Sequence, residues 1–218
     1  MEILVIGTEY HLAECQQKFG DSHHYQLLKD LSQAIKQLKN ETLVFDFIIA
    51  DEPKQIHMYQ KFNGIAFLNT TNTTLNTLLS ENLIRSTVFG FCGMPTFLNR
   101  EVLEVSMINE NHKIKLEEIC HLLNTSFVAV KDQVGLVTPR IICMIINEAY
   151  FAVQENIASR KDIDLAMKLG TNYPFGPFEW CERIGIKNVY ELLNAVYKST
   201  NDERYKICDL LKKEAKKG

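Results

Sequence analysis

The sequence predicts an α/β protein in which a Rossmann-like, mostly parallel sheet domain is followed by an all-α C-terminal domain. Three observations support this prediction. The chain opens with Glu2-Ile-Leu-Val-Ile-Gly7, an apolar run ending in glycine, which is typical of a buried parallel strand that enters a tight turn. Short apolar runs then alternate with helical segments as far as Val130, as in repeated βαβ units. From Thr138 onward, apolar residues recur at helical spacing.

The composition is that of a soluble globular protein with one large or two small domains. The 218 residues are 46% hydrophobic and 23% charged. A net charge of −3 gives no electrostatic case for nucleic acid or an anionic membrane as a partner. No apolar run approaches the ~18 residues that a membrane span needs. The N-terminus also lacks the basic region and apolar core of a signal peptide.

The cysteines indicate a reducing compartment. The chain has six, and no two of them form a C-x-x-C pair. Several fall on apolar faces, which favours reduced thiols in a cytoplasmic protein over disulfides or a metal site. We therefore expect cytoplasmic localisation and no metal.

The first half of the chain is predicted to alternate strands with helices. Apolar runs rich in β-formers predict strands at 2–6, 25–28, 42–50, 64–68, 87–91 and 126–130. Helical spacing predicts helices at 9–18, 30–38, 75–79 and 116–123. The polar segment Lys131-Asp-Gln-Val-Gly135 is then a domain boundary, which gives a sheet domain at 1–132 and a helical domain at 135–218.

The turn after the first strand departs from the glycine fingerprint of dinucleotide-binding domains. The fingerprint is G-x-G-x-x-G, and the corresponding window is Gly7-Thr-Glu-Tyr-His-Leu12. Gly7 keeps the first position, while Glu9 and Leu12 stand at the second and third. Glu9 adds bulk and negative charge where two phosphates would sit, at a helix N-terminus suited to anions. We therefore expect weakened binding of NAD in its usual pose, with Gly7 as the retained cofactor-binding residue.

Asp30 is a second candidate for cofactor binding. It follows the second predicted strand, near the place where an acidic residue holds a ribose hydroxyl in such domains. The alternative is an exposed aspartate that caps the next helix. Both interpretations remain open at this point.

The C-terminal half contains a shaped turn between helices. Pro174 and Pro177 each remove a backbone donor, and Gly176 lies between them, so no helix can run through this segment. A helix restarts at Pro177, an allowed first-turn position. Upstream, Ser159 begins a capping box, and a short helix from Ile163 to Leu169 is predicted to end at Gly170 as its C′ residue.

These helices carry an ordered set of motifs. They are Asn147-Glu-Ala-Tyr150, Asp162-Ile-Asp-Leu-Ala-Met-Lys-Leu-Gly170, Tyr173-Pro-Phe-Gly-Pro-Phe-Glu179 and Arg183-Ile-Gly-Ile186. Together they resemble the C-terminal helical domain of the 3-hydroxyacyl-CoA dehydrogenase family. The resemblance is strong over 135–211 and weaker, though collinear, before that. It implies NAD as cofactor, with a sheet domain that is shortened relative to the family.

The resemblance also implies catalytic positions. Thr74 aligns with a serine near the substrate oxygen, and Glu104 aligns with a glutamate that orients a catalytic histidine. The histidine, a general base, falls on Phe91 or, with a one-residue shift, on Cys92. Alternatively, the threonines after 69 cap the following helix, and Glu104 is a surface or capping residue.

The helical domain retains one polar position of the family and lacks another. Pro139 replaces an asparagine whose amide contacts the reacting group, while Arg140 is kept. In the family the helical domain pairs two subunits, so we expect a homodimer. Tyr173, Phe175, Phe178 and Trp180 are expected either at that interface or in the core of the monomer.

Two functions follow from these observations. The resemblance implies NAD-dependent oxidation of 3-hydroxyacyl-CoA to 3-oxoacyl-CoA in fatty-acid metabolism. The missing base and glycines favour weak activity or none. The alternative is a catalytically inactive, dehydrogenase-like dimer, a pseudoenzyme, that binds an acyl-CoA, a nucleotide or a partner protein.

Overall fold

The protein divides into two compact units in a computed structural model that describes residues 1–29, 37–38, 42–80 and 84–217. The first unit comprises Met1–Leu136 and the second comprises Val137–Gly218. Asp30, and with it most of the helix predicted at 30–38, lies outside the described residues. Among the helices that the structure describes, none is both long enough and apolar enough to cross a membrane.

The first unit is built on a mostly parallel sheet. Its described strands are β1 (Glu2–Ile6), β2 (His24–Leu28), β3 (Leu43–Asp46), β4 (Ile65–Asn69), β5 (Thr87–Phe91), β6 (Val102–Ser106) and β7 (Ser126–Val130). They are ordered β2-β1-β3-β4-β5-β6-β7. Among these seven strands β5 and β6 form the one antiparallel pair of neighbours, and β7 runs parallel to β6. The predicted fold class is confirmed.

Helices cover both faces of this sheet. They are α1 (Glu9–Phe19), α2 (Leu75–Leu79) and α3 (Lys113–Leu122), with 3-10 turns at Pro53–Gln60 and Glu110–His112. Successive residues of a strand point to opposite faces. Ile3 and Val5 therefore pack with α1 and α3, whereas Leu4 and Ile6 pack with α2 and the longer 3-10 turn. Because helices cover both faces, the central strand β1 is apolar at successive positions from Ile3 to Ile6.

The third strand is shorter than predicted. The apolar run was expected to form a strand over 42–50, but β3 ends at Asp46. The Asp46 carboxylate accepts the backbone N–H groups of Ile48 at 3.0 Å and Ile49 at 2.9 Å, which turns the chain out of the sheet. Hydrophobicity alone predicted too long a strand. The apolar residues after Asp46 are buried in a turn and not in the sheet.

The second unit consists of helices. They are α4 (Thr138–Gln154), α5 (Arg160–Thr171), α6 (Pro177–Ile184), α7 (Ile186–Thr200) and α8 (Asp209–Ala215), with a 3-10 turn at Glu203–Tyr205. Ser159 caps α5 by accepting the backbone N–H of Asp162 at 3.2 Å, as the capping box predicts. α6 begins at Pro177, which was also predicted.

The predicted end of α5 at Gly170 is wrong. The helix continues to Thr171, and Asn172 takes the left-handed conformation at φ 56°. Asparagine tolerates this region better than other non-glycine residues, so it can end a helix in glycine's place. Gly170 is an exposed residue inside the helix.

The proline-rich turn is held by α5. The Asp164 carboxylate accepts the backbone N–H groups of Phe178 at 2.8 Å and Glu179 at 3.2 Å, so a side chain of one helix caps the next. Glu179 in turn accepts the N–H of Gly176 at 3.0 Å and pairs with Lys168 at 2.5 Å. The motif that carries the family resemblance is therefore a device for joining α5 to α6.

Candidate functional site

The turn after β1 is filled by a side chain of its own helix. The imidazole of His11 lies against Gly7, where an added Cβ would overlap its ring. His11 Nδ1 accepts the backbone N–H of Thr8 at 3.1 Å. The ring also stacks on Phe47, with centroids 4.2 Å apart and planes 5° from parallel. Burial lowers the pKa of His11, so the ring is neutral at neutral pH and Nδ1 can accept this hydrogen bond.

Glu9 adds charge to the same turn. It stands in the first turn of α1, and its carboxylate pairs with Lys29, beyond β2, at 3.1 Å. Both side chains are exposed, so the pair stabilises the turn little, and the carboxylate stays next to the helix N-terminus. The turn therefore does not fit a dinucleotide in the usual pose, because an imidazole and a carboxylate stand where the pyrophosphate approaches.

Three neighbouring strands are tied together at their carboxyl ends by Asn69. Its Nδ2 donates to the carbonyl of Phe47, which follows β3, at 2.9 Å. Its Oδ1 accepts the N–H of Gly93, which follows β5, at 3.0 Å, and the N–H and hydroxyl of Thr71 at 3.1 Å and 2.6 Å. Internal hydrogen bonds thus join the ends of β3, β4 and β5 on the edge of the sheet where parallel-sheet proteins bind ligands.

The position implied for the histidine base is occupied by core residues. Phe91 ends β5, is fully buried, and packs edge-on against Phe45 and Phe47 at centroid distances of 5.6 Å and 5.1 Å. Cys92 is also buried, and its sulfur accepts the hydroxyl of Thr71 at 3.5 Å. Burial raises the pKa of Cys92 to about 12, so the thiol is protonated at neutral pH. Neither residue can serve as a general base there.

Glu104 lies in β6, half buried. Phe91 pairs with Val105 across the antiparallel strands, so Glu104 comes beside Cys92. Its charge adds to the burial that raises the pKa of Cys92. The structure therefore brings Glu104 next to the implied base position, although no imidazole stands there.

Thr74 acts as the N-cap of α2. Its hydroxyl accepts the backbone N–H of Thr77 at 3.0 Å and bonds the Thr77 hydroxyl at 2.8 Å. Asp132 completes the cap by accepting the N–H groups of Leu75 at 3.0 Å and Asn76 at 2.9 Å. These capping contacts are those of the alternative interpretation given to the threonine-rich loop. A substrate contact for Thr74 stays a prediction.

Comparison with known proteins identifies the lineage. Residues 135–218 match the family model of the 3-hydroxyacyl-CoA dehydrogenase, C-terminal domain. The 3-hydroxyadipyl-CoA dehydrogenase of Escherichia coli is 42% identical over 86 residues, which are 39% of this chain and 18% of that protein. The 3-hydroxybutyryl-CoA dehydrogenase of Clostridioides difficile is 29% identical over 205 residues, 92% of this chain and 71% of that protein. Residues 135–218 thus belong to the C-terminal domain of the 3-hydroxyacyl-CoA dehydrogenase family, and the chain as a whole is similar to dehydrogenases of this family.

Solved structures agree with this family at the level of fold. FadB2 from M. tuberculosis superposes with a TM-score of 0.80 at 14% identity, covering 99% of this chain and 93% of that one. (S)-3-hydroxybutyryl-CoA dehydrogenase PaaH1 from Ralstonia eutropha gives 0.71 at 18% identity, covering 100% and 94%. The predicted resemblance to the 3-hydroxyacyl-CoA dehydrogenase family is confirmed.

In this chain the Asn-Glu-Ala-Tyr motif, residues 147–150, holds the C-terminal segment in place. Asn147 is buried on α4, and its Nδ2 donates to the carbonyl of Lys206 at 2.9 Å. Its Oδ1 accepts the N–H of Cys208 at 2.9 Å. Tyr150 donates to Glu214 of α8 at 3.2 Å. Both motif residues therefore fasten the C-terminal segment to the long first helix of the unit.

Sequence reasoning missed three polar residues of the first unit. His11 was not singled out, although its place at N3 of α1 was an available signal. Glu14 is buried on α1 and accepts the N–H of Thr96 at 2.8 Å. Asp46 is fully buried and accepts the hydroxyl of Tyr59 at 2.9 Å. No pattern in the sequence marks Glu14 or Asp46, because their partners are distant in sequence.

No metal site emerges from the described residues. No cluster of three or more histidine, cysteine, aspartate or glutamate side chains in 1–29, 37–38, 42–80 and 84–217 could hold an ion. All six cysteines are buried free thiols.

Proposed function

We propose that this chain is a 3-hydroxyacyl-CoA dehydrogenase family protein that binds 3-hydroxyacyl-CoA and 3-oxoacyl-CoA thioesters. It oxidises the 3-hydroxy thioester with NAD, and reduces the 3-oxo thioester with NADH, far more slowly than a complete site would. Membership of the family supports the ligand class. One observation supports the slow reaction: Phe91 and Cys92, both buried, stand where the resemblance implies the base.

The chemistry makes the base important. Oxidation of the C3 alcohol removes a hydride from carbon and a proton from the hydroxyl. A positioned base commonly contributes about 10²–10⁴-fold to such a proton transfer. Phe91 has no titratable group, and the thiol of Cys92 keeps its proton because its pKa is raised to about 12. Glu104 would be left without the imidazole that it orients in the family.

The family reaction uses NAD, and the first βα turn does not fit that cofactor in the usual pose. The ring of His11 takes up space at this turn, and the carboxylate of Glu9 adds negative charge to it. A second candidate function, a pseudoenzyme that binds a thioester, a nucleotide or a partner protein without turnover, is favoured by this observation.

The test compares turnover with binding. We expect NADH consumption with acetoacetyl-CoA to be at least about a hundredfold slower than for the Clostridioides difficile relative measured alongside. Acetoacetyl-CoA at about 100 times its Kd should stabilise the protein by about 2.7 kcal/mol in a thermal-shift assay, beyond any shift produced by free CoA. A rate within tenfold of the relative would contradict the proposal.

Binding separates the two candidates. A thioester shift with a rate above that of heat-killed protein supports the slow dehydrogenase. A shift without turnover supports the pseudoenzyme, and absence of both contradicts thioester binding altogether.

We also propose that the chain forms a homodimer through its helical unit. α5 has no buried residue, and Leu165 and Leu169 on it are 51% and 78% exposed. Ile157, just before α5, is 70% exposed, and Ile141 on α4 is 54% exposed. A second copy would cover such apolar faces. Light scattering should give twice the monomer mass, and Leu169→Asp should reduce it, whereas the exposed Glu148→Gln should not.

Cytoplasmic localisation is part of the same proposal. It is supported by the six buried free thiols.

A further inference from the structure

The topology fixes where a dinucleotide would cross the sheet. Ligands of open α/β sheets bind outside the carboxyl ends of the strands, at the point where the strand order reverses. Here that point lies between β1 and β3, because the chain goes first to β2 on one side of β1 and then to β3 on the other. The pyrophosphate would lie over Gly7, against the N-terminus of α1.

His11 occupies this crevice. Its ring reaches from Gly7, at the end of β1, to Phe47, one residue past the end of β3. Ile6 and Asp46 are register partners, so Gly7 and Phe47 follow neighbouring strand ends directly. A side chain that contacts both closes the space between the two strands.

His11 also takes up a backbone donor of the turn. The Thr8 N–H, which precedes the first turn of α1, donates to His11 Nδ1 at 3.1 Å. Backbone N–H groups at such a turn are the donors that a bound phosphate uses. An incoming phosphate would therefore have to break this hydrogen bond and the ring stack together.

Glu9 opposes a phosphate independently of His11. Its carboxylate stands at the position of the fingerprint's second glycine, whose lack of a side chain lets the pyrophosphate come close to the backbone. The ion pair with Lys29 is exposed and does not bury this charge. The bulk of His11 and the charge of Glu9 thus oppose phosphate binding separately, from two residues of the same turn.

We propose that His11 and Glu9 are specificity-determining residues that keep a dinucleotide pyrophosphate out of the first βα turn, and that the turn binds NADH once both are removed. Family membership supplies the identity of the nucleotide. The inference does not depend on thioester binding, so the two can fail separately.

The test is an NADH titration followed by nicotinamide fluorescence and by calorimetry on the full-length protein. Wild type and the control His121→Ala, an exposed histidine on α3, should show no saturable binding up to about 1 mM NADH. Glu9→Gly/His11→Ala should bind at least tenfold more tightly than wild type, with each single variant in between. Inorganic pyrophosphate should compete for the site in the double variant.

Two results would overturn the inference. One is wild-type protein that binds NADH as tightly as the double variant. The other is failure of every cooperatively melting double variant to bind NADH. Because glycine at position 9 weakens the helix start, Glu9→Gln/His11→Ser provides a second pair that removes the charge and the ring while keeping side chains in the first turn. Gain of binding in either folded pair supports the inference, and failure in both rejects it.

Discussion

Gly176 leaves room for the carboxyl group of Asp164: a Cβ at position 176 would overlap the Asp164 side chain. Gly176 has φ −73°, so a larger residue there is excluded by this neighbour and not by backbone conformation. The side chain that it accommodates caps α6. The cap formed by Asp164 therefore depends on glycine at position 176.

Removal of the cap should destabilise the helical unit modestly. We expect Asp164→Ala to lower the free energy of unfolding by about 1 kcal/mol, because the N–H groups of Phe178 and Glu179 lose their acceptor. Gly176→Ala should cost at least as much in wild type and clearly less in the Asp164→Ala background, where the overlap is gone. A double-mutant cycle in urea measures this coupling. Strictly additive effects would contradict the relationship.

Asn147 should be costly to replace. Asn147→Ala leaves the Lys206 carbonyl and the Cys208 N–H without their partner in a buried place, and should cost about 2–3 kcal/mol. The adjacent exposed residue gives a matched control, since Glu148→Ala should change stability by less than about 0.5 kcal/mol. Equal unfolding midpoints for the two variants would show that the buried amide does not hold the segment.

The architecture was readable from the sequence because its signals are local. Apolar runs predict six of the seven described strands, Ser159 and Pro177 predict two helix starts, and the segment after Tyr173 predicts the turn. The strand β6 was not predicted, because Glu104 and Ser106 interrupt its apolar pattern. The predicted ends of β3 and α5 are wrong because one particular side chain determines each end. Asp46 ends β3 within an apolar run by bonding two backbone N–H groups. Asn172 ends α5 where Gly170 was expected, since either residue can adopt positive φ.

The buried carboxylate of Asp46 should make stability depend on pH. Burial raises its pKa from 3.8 to about 7, although three hydrogen bonds oppose the shift. The unfolded chain therefore ionises Asp46 at lower pH than the folded protein does. The stabilising contribution is complete below about pH 3.8 and is lost as pH rises towards about 7.

Asp46→Asn keeps the size of the side chain and removes this titration. The stability of wild type relative to Asp46→Asn should fall by about 2 kcal/mol between about pH 5 and pH 8, as measured by urea unfolding. A constant difference between wild type and Asp46→Asn across that range would contradict the raised pKa.

The cysteines should be inert in the native protein. All six are buried, and burial raises the pKa of Cys92 to about 12 and those of Cys120 and Cys181 to about 11. A thiol reagent such as DTNB at about pH 8 should modify none of them within minutes and all six after unfolding in guanidinium. One rapidly labelled thiol, located by mass spectrometry, would show an opening of the fold at that residue.

The candidate site was predicted less completely than the fold. The resemblance gave positions, such as Phe91 and Glu104, but geometry decides what a position can do. His11 is the third residue of α1, and at this position its side chain contacts both Gly7 and Phe47. A comparison with the glycine fingerprint alone does not reveal these contacts. The contacts of Glu14 with Thr96 and of Asp46 with Tyr59 join residues outside each other's local segment, so they could not be anticipated from neighbours in sequence.

The amide of Asn69 joins the segments that follow three strands through its own hydrogen bonds. Strand ends joined in this way keep their positions when neighbouring side chains are substituted during evolution. A lineage can then discard a reaction and retain the architecture, since different atoms serve the two purposes. For protein engineers, the same separation offers a foundation that need not be rebuilt when new chemistry is installed.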